Sequence, residues 1–179
     1  MKKRFLVVLM IGCLSAPAAA ATFSLKAAYF LPSEQAFKDI YIGGAIYGGE
    51  IGFRVAGPFG LWIDGMYFQG KGELTYTKEE TKLTLIPIGA GVRVDFMTGG
   101  LAPYGGAGLR YYMYKETNVI GTAEANGAGL VGFAGVKLRV AKGFFFDLRA
   151  AYSYCKLTPA DFTVNVGGLE LGGGLLFEF

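Results

Sequence analysis

The chain has no histidine, only two cysteines and one tryptophan in 179 residues. The missing histidine removes the side chain that titrates near neutrality without heavy tuning, and with it the commonest general base and metal ligand. A carboxylate or lysine base is the one enzymatic route left, so no catalytic residue, metal site or cofactor is expected and the protein reads as non-enzymatic. Cys13 lies before the cleavage point argued below, which leaves Cys155 alone and excludes an intramolecular disulfide. A spanning helix is missing too. After Ala21 no run approaches the ~18 apolar residues such a helix needs, although the chain is 53% hydrophobic. High hydrophobicity without a helical span is what a transmembrane barrel requires, because its apolar residues fall on alternate positions.

Net charge is the last absence. Lys2, Lys3 and Arg4 precede an apolar run from Phe5 to Leu14 and a small-residue stretch, Ala16 to Ala21. That order describes a secretory signal peptide over 1–20, cleaved after Ala20, with one domain over 21–179. Met10-Ile11-Gly12-Cys13 offers a rival lipoprotein box, preceded by a shorter apolar run. Cleavage after Ala20 removes three of the 17 Lys and Arg, leaving 14 against 14 Asp and Glu. A neutral mature chain gives no reason to expect a nucleic-acid partner.

What is present is alternation. Segments of alternating apolar and small or polar residues predict eight strands: Thr22–Leu31, Ile40–Ala56, Gly60–Gly70, Leu83–Phe96, Leu101–Tyr114, Asn126–Val140, Phe144–Lys156 and Val166–Phe179. The connections at Gly57 to Phe59, Met97 to Gly100 and Ala141 to Gly143 are tight. Those at Pro32 to Asp39, Lys71 to Lys82, Lys115 to Ala125 and Leu157 to Asn165 are longer and polar. Short turns on one side and long loops on the other suit periplasmic turns and outer loops.

The two faces differ. One carries Phe23, Leu25, Tyr29, Tyr41, Tyr47 and Ile51 and continues apolar to Tyr152 and Tyr154. Phe23, Phe53, Phe59, Phe96, Phe144 and Phe179 fall toward the periplasmic rim. Tyr29, Tyr41, Tyr67, Tyr111, Tyr112, Tyr114, Tyr152 and Tyr154 fall toward the outer rim, as aromatic girdles do. The other face carries Lys26, Glu50, Arg54, Asp64, Arg93, Asp95, Arg110, Lys137, Arg139, Asp147, Arg149, Glu170 and Glu178 among Gly, Ala and Ser. An eight-stranded barrel is only just wide enough for its inner side chains. Arg54, Arg93, Arg110, Arg139 and Arg149 are therefore expected to pair with Glu50, Asp64, Asp95, Asp147 and Glu170 and to leave no continuous aqueous pore. Inward Ile42, Ile46, Trp62, Met66, Phe68, Val131 and Phe133 favour the rival, a narrow channel for small or hydrophobic solutes. A soluble sandwich shares the alternation, but a Gly- and Ala-dominated charged face is a poor solvent surface.

The closing strand, Leu169 to Phe179, alternates to its last residue. It looks like the terminal strand of bacterial outer-membrane barrels. Leu175, Phe177 and Phe179 there resemble the signal read by the barrel-assembly machinery. With Pro103-Tyr104-Gly105-Gly106-Ala107-Gly108-Leu109 and the strand pattern, the chain from Thr22 to Phe179 resembles the small OmpA-, OmpX- and OmpW-like outer-membrane proteins. The resemblance implies an all-β, eight-stranded antiparallel up-and-down transmembrane β-barrel in the outer membrane. It implies a monomer in contact with membrane lipid and lipopolysaccharide, with outer loops that meet the environment. It carries no catalytic motif, and a wall-binding role like that of longer members is not expected. Glu73, Glu79 and Glu80 suggest a loop calcium site, against which the neighbouring Lys71, Lys78 and Lys82 point to a solvated loop tip. Cys155 is expected inward, as a small packed residue.

Overall fold

The computed structural model describes residues 21–73, 80–96, 100–119, 121–159 and 163–179. The signal peptide, the lipoprotein box at Cys13 and the loop acid Glu79 lie outside the described residues. Alternating sequence builds the barrel wall from β1 (Ala21–Pro32), β2 (Gly44–Ala56), β3 (Phe59–Glu73), β4 (Glu80–Asp95), β5 (Leu101–Asn118), β6 (Gly121–Ala141) and β7 (Phe144–Tyr154). A short hairpin of β8 (Lys156–Leu157) and β9 (Val164–Asn165) follows, then β10 (Gly168–Glu178). The eight long strands form one closed antiparallel barrel, each beside its sequence neighbour. β10 closes it on β1, from Thr22↔Glu178 to Pro32↔Gly168. Closure removes both sheet edges and satisfies the backbone inside a bilayer.

Two tight turns show the same device. Ala56 pairs with Phe59 after a register shift at Arg54/Ala56, and Ala141 pairs with Phe144 after one at Arg139/Ala141. Gly57 (φ 54°) and Gly143 (φ 72°) supply the left-handed residue each turn needs. A glycine in that region beside a bulge is a common way to close a short hairpin.

The outer ends depart from the sequence reading in two ways. The single strand expected over Ile40–Ala56 is divided. Residues Gln35–Tyr41 form a helix, α1, and β2 starts at Gly44. Phe37 and Tyr41 are four apart, so a helix places both on one face, and both are buried. The helix ends at Ile42 (φ 47°), whose N–H donates to the Lys38 carbonyl at 2.9 Å. Seven residues make a marginal helix in water, and the Glu34 side chain at its N-cap makes no capping bond to the helix but accepts from the Asn165 N–H. Its docking is intimate: a Cβ on Gly72 of β3 would stand 2.1 Å from the Ile40 carbonyl oxygen.

The second departure concerns the expected loops 71–82 and 115–125. The β5–β6 ladder runs from Leu101↔Leu138 to Asn118↔Gly121 without a register shift. The β3–β4 ladder reaches Glu73↔Glu80. Polar residues there mark strands that have left the lipid for water. β6 has 21 residues and β7 has 11, so one side of the wall rises higher than the other. The last strands are shorter than expected: β7 stops at Tyr154 and β10 starts at Gly168.

Candidate functional site

The interior is layered by chemistry. Its charged layer centres on Glu50 of β2. Lys26 on β1 approaches at 2.6 Å, Arg149 on β7 at 2.8 Å and Arg93 on β4 at 3.0 Å. Arg93 also reaches Asp95 at 3.2 Å, and Lys137 reaches the same carboxylate at 2.5 Å. Arg110 on β5 bridges Asp64, at 2.6 Å, and Glu170 on β10. Asp147 accepts from the Tyr104 hydroxyl at 2.6 Å and lies 3.8 Å from Lys26. Alternation turns each of these groups inward, and the register of the strands brings them together, as in Ser24↔Glu50 and Glu50↔Asp64.

Aromatic rings divide the charges. Trp62, fully buried, donates from its ring to the Val92 carbonyl at 3.2 Å and packs edge-on against Phe133 at 5.3 Å. The Arg149 guanidinium lies 3.8 Å from the Phe133 ring centre. Tyr104 has Lys137 over its ring at 5.1 Å and Arg93 at 5.9 Å. Such contacts favour cations in a site with little water. Gly89 makes room for the Arg110–Asp64 pair, because a Cβ there would stand 2.6 Å from both Arg110 Cγ and Asp64 Oδ1. A cavity of about 20 Å³, bordered by Lys26, Asp147, Arg149 and Glu170, has room for about one water.

Two expected members stand apart from this layer. Arg54 is partly exposed at the periplasmic rim, 3.5 Å from Glu178. Arg139 is exposed, pairs with no carboxylate among the described residues, and lies 5.4 Å from the Phe145 ring centre. Both adjoin the bulges that re-aim the ends of β2 and β6.

Above the charges the filling is apolar. Phe30, Ile46, Met66, Phe68, Leu83, Leu85, Tyr112, Tyr114, Cys155 and Val166 form one cluster with Phe37 and Tyr41 of α1. Tyr41, Tyr112 and Tyr114, expected in the outer girdle, therefore face inward. The helix turns Tyr41, and even-numbered positions of β5 point to the interior. Ile42, expected inward, is 76% exposed because it follows the helix end. At the mouth Tyr41 donates to Thr81 at 3.2 Å, and Thr81 donates to Glu116 at 3.0 Å. Tyr114 donates to the other Glu116 oxygen. Burial holds the Tyr41 phenol above its usual range and pushes the Cys155 thiol up to about 11. The Phe37–Tyr41 spacing was the available signal for this cap, and strand alternation hid it. Tyr104 could have been found as an inward tyrosine on the strand of Arg110.

The terminal residues lie on the outer wall. Leu175 is opposite Leu25 and Phe146, and Phe177 packs on Phe144 at 5.2 Å between ring centres. Phe179 is exposed, and its N–H donates to the Ala21 carbonyl at 2.9 Å.

A closed barrel with an apolar outer belt, Phe at one rim and Tyr at the other, and the charges at the level of that belt turned inward defines a membrane-spanning β-barrel. The family model for the outer membrane protein beta-barrel domain matches residues 6–175, and the chain belongs to that family. It is an outer-membrane protein in contact with membrane lipid. Similar solved structures include Neisserial surface protein A, at 22% identity, TM-score 0.69, covering 89% of this chain and 97% of that one. OprG from Pseudomonas aeruginosa matches at 14% identity, TM-score 0.71, over 90% and 96%. Outer membrane protein W of E. coli matches at 12% identity, TM-score 0.54, over 90% and 98%. These likenesses support the fold alone. No curated protein matches the chain.

Proposed function

We propose that this protein is a non-enzymatic, monomeric barrel with a plugged interior, whose task is structural or surface contact through its outer end. The observation that carries the reading is the balance of the buried layer. Lys26, Arg93, Arg110, Lys137 and Arg149 face Glu50, Asp64, Asp95, Asp147 and Glu170, and all but Arg149 are below 9% exposed. Paired charges in so narrow a barrel hold one another in place and leave little room for moving ions. The outer strand extensions are the surface offered to partners. In this reading Leu175, Phe177 and Phe179 form the terminal-strand signal that the assembly machinery engages before insertion. Planar-bilayer recording tests the plug: the purified protein should give no steady conductance, and a stable open level from the wild-type monomer overturns it.

One observation favours a second reading. The outer half of the interior is lined with apolar side chains and capped by a short helix, a suitable entrance for a small hydrophobic solute. Uptake of such a solute by proteoliposomes, above that of empty vesicles, would favour this alternative.

A further inference from the structure

α1 closes the mouth of the barrel yet shares no ladder with its wall. Among its described side chains only Phe37 and Tyr41 are buried, with ring centres 5.0 Å apart, and Lys38 and Asp39 are exposed. Polar contacts hold it at both ends. At the entry the Ser33 N–H and hydroxyl both donate to the Gly167 carbonyl, at 3.1 and 3.0 Å. Asn165 is the centre of this clasp. Its side-chain amide donates to the Ser33 hydroxyl at 2.8 Å, and its backbone N–H donates to Glu34. Its side-chain oxygen accepts from the Cys155 and Gly167 N–H groups, each at 3.0 Å. At the other end the Tyr41 hydroxyl meets Thr81, which donates to Glu116.

The exit from the helix is strained. Ile42 (φ 47°, ψ −34°) is the one residue other than glycine with positive φ among the described residues. The Gly43 N–H donates to the Tyr41 carbonyl and closes a three-residue turn around it. A β-branched residue is an outlier in this region, and a γ-turn of this hand is the strained one. The Ile42 side chain is 76% exposed, so little packing offsets the cost. Gly43 is seated on β1, where a Cβ would stand 2.5 Å from the Phe30 carbonyl oxygen. The strained turn therefore has a fixed base and one movable arm, α1. Such strain persists only while surrounding contacts impose it, and lifting α1 releases it.

We propose that α1 is a hinged lid, with Gly43 as its pivot, Ile42 as its spring and Asn165 as its catch. Closed, it seats Phe37 and Tyr41 in the mouth. Open, it uncovers the apolar outer half of the interior. Hydrogen exchange of the full chain in detergent micelles, read by mass spectrometry, tests it. Amides of residues 35–42 should exchange faster than those of the β4–β5 ladder, through a separate local opening. Ile42→Gly should slow exchange in α1 by about fivefold, the strain relieved less the entropy that a second glycine adds. Asn165→Asp keeps the two accepted bonds, loses the donation to Ser33 and sets a carboxylate beside Glu34. It should speed exchange in α1 by about tenfold. The β4–β5 ladder should exchange at the wild-type rate in both variants, which separates the lid from the barrel. Ile42 is exposed, so Ile42→Gly carries the test even where Asn165→Asp disturbs the hairpin. Wild-type exchange of α1 no faster than that of the ladder, or no slowing in Ile42→Gly, overturns the proposal.

Discussion

On nearly every strand the same change occurs along the inward face. Lys26 gives way to Phe30 on β1, Glu50 to Ile46 on β2, and Asp64 to Met66 and Phe68 on β3. Arg93 gives way to Leu85 on β4, Arg110 to Tyr112 on β5, Arg149 to Cys155 beyond β7, and Glu170 to Val166 before β10. The periplasmic half is therefore filled by charges with aromatic rings between them, and the outer half mainly by apolar groups. The difference is one of mechanism. Charged groups are directional, and each lost partner strands another buried ion, so that half is held as a unit. Apolar groups are exchangeable and respond to volume. The charged half is also built wholly from wall positions, whereas the outer half depends on α1, a segment outside the ladder.

The largest expected effect is at Glu50, which neutralises Lys26, Arg93 and Arg149 together. Glu50→Gln keeps the shape and removes the charge, leaving three cations under-compensated. Breaking a buried pair in this way costs ~3–5 kcal/mol. The urea midpoint of the folded barrel in micelles should fall accordingly, with the slope unchanged. A loss under about 1 kcal/mol, the range of exposed pairs, would mean that water enters this layer freely and would break the contrast between the halves.

Phe37→Ala probes the other half. Truncating a buried Phe costs ~3–5 kcal/mol in a core, but here the loss falls on the docking of a seven-residue helix. The expected outcome is local opening, with a smaller shift of the urea midpoint than for Glu50→Gln. Cys155, buried in the same cluster, reports it. Its thiol pKa is raised to about 11, so little thiolate is present at pH 8, and labelling of the wild type should be slow there and rise about tenfold per pH unit up to that value. Opening the cap restores water around the thiol, so Phe37→Ala should react faster with a maleimide at pH 8. Unchanged labelling would show that α1 does not control access to the outer interior.

Wall and cap differ in how plainly the sequence announces them. Alternation in a strand is rigid, so the inward charges from Lys26 to Glu170 can be read directly, and closure on β1 follows from an even strand count. Register is a different matter. That Glu50 meets Lys26, Arg93 and Arg149 depends on pairings such as Ser24↔Glu50 and Glu50↔Asp64, which alternation leaves undetermined. The cap was hidden because Ile40-Tyr41-Ile42 alternates acceptably as strand, while the helical signal rests on Phe37 and Tyr41 alone. The polar tops of β3 to β6 read as loops because composition reports solvent contact rather than backbone pairing. The bulges at Arg54 and Arg139 left no clear mark, and those two arginines depart from the buried network.

The smallest effect is expected where charge persists but burial ends. Arg54 and Glu178 are 3.5 Å apart at the rim, with side chains 38% and 25% exposed. Exposed pairs are screened and contribute under about 1 kcal/mol. Glu178→Gln should therefore leave the urea midpoint almost unmoved, while Glu170→Gln, which deprives buried Arg110 of one of its two carboxylates, should approach the cost of Glu50→Gln. The two acids sit eight residues apart on inward positions of β10 and differ chiefly in depth. Their comparison separates burial from charge within one element. If both substitutions cost the same, depth in the barrel is not what gives the ion pairs their weight, and the layering of the interior would have to be explained by packing alone.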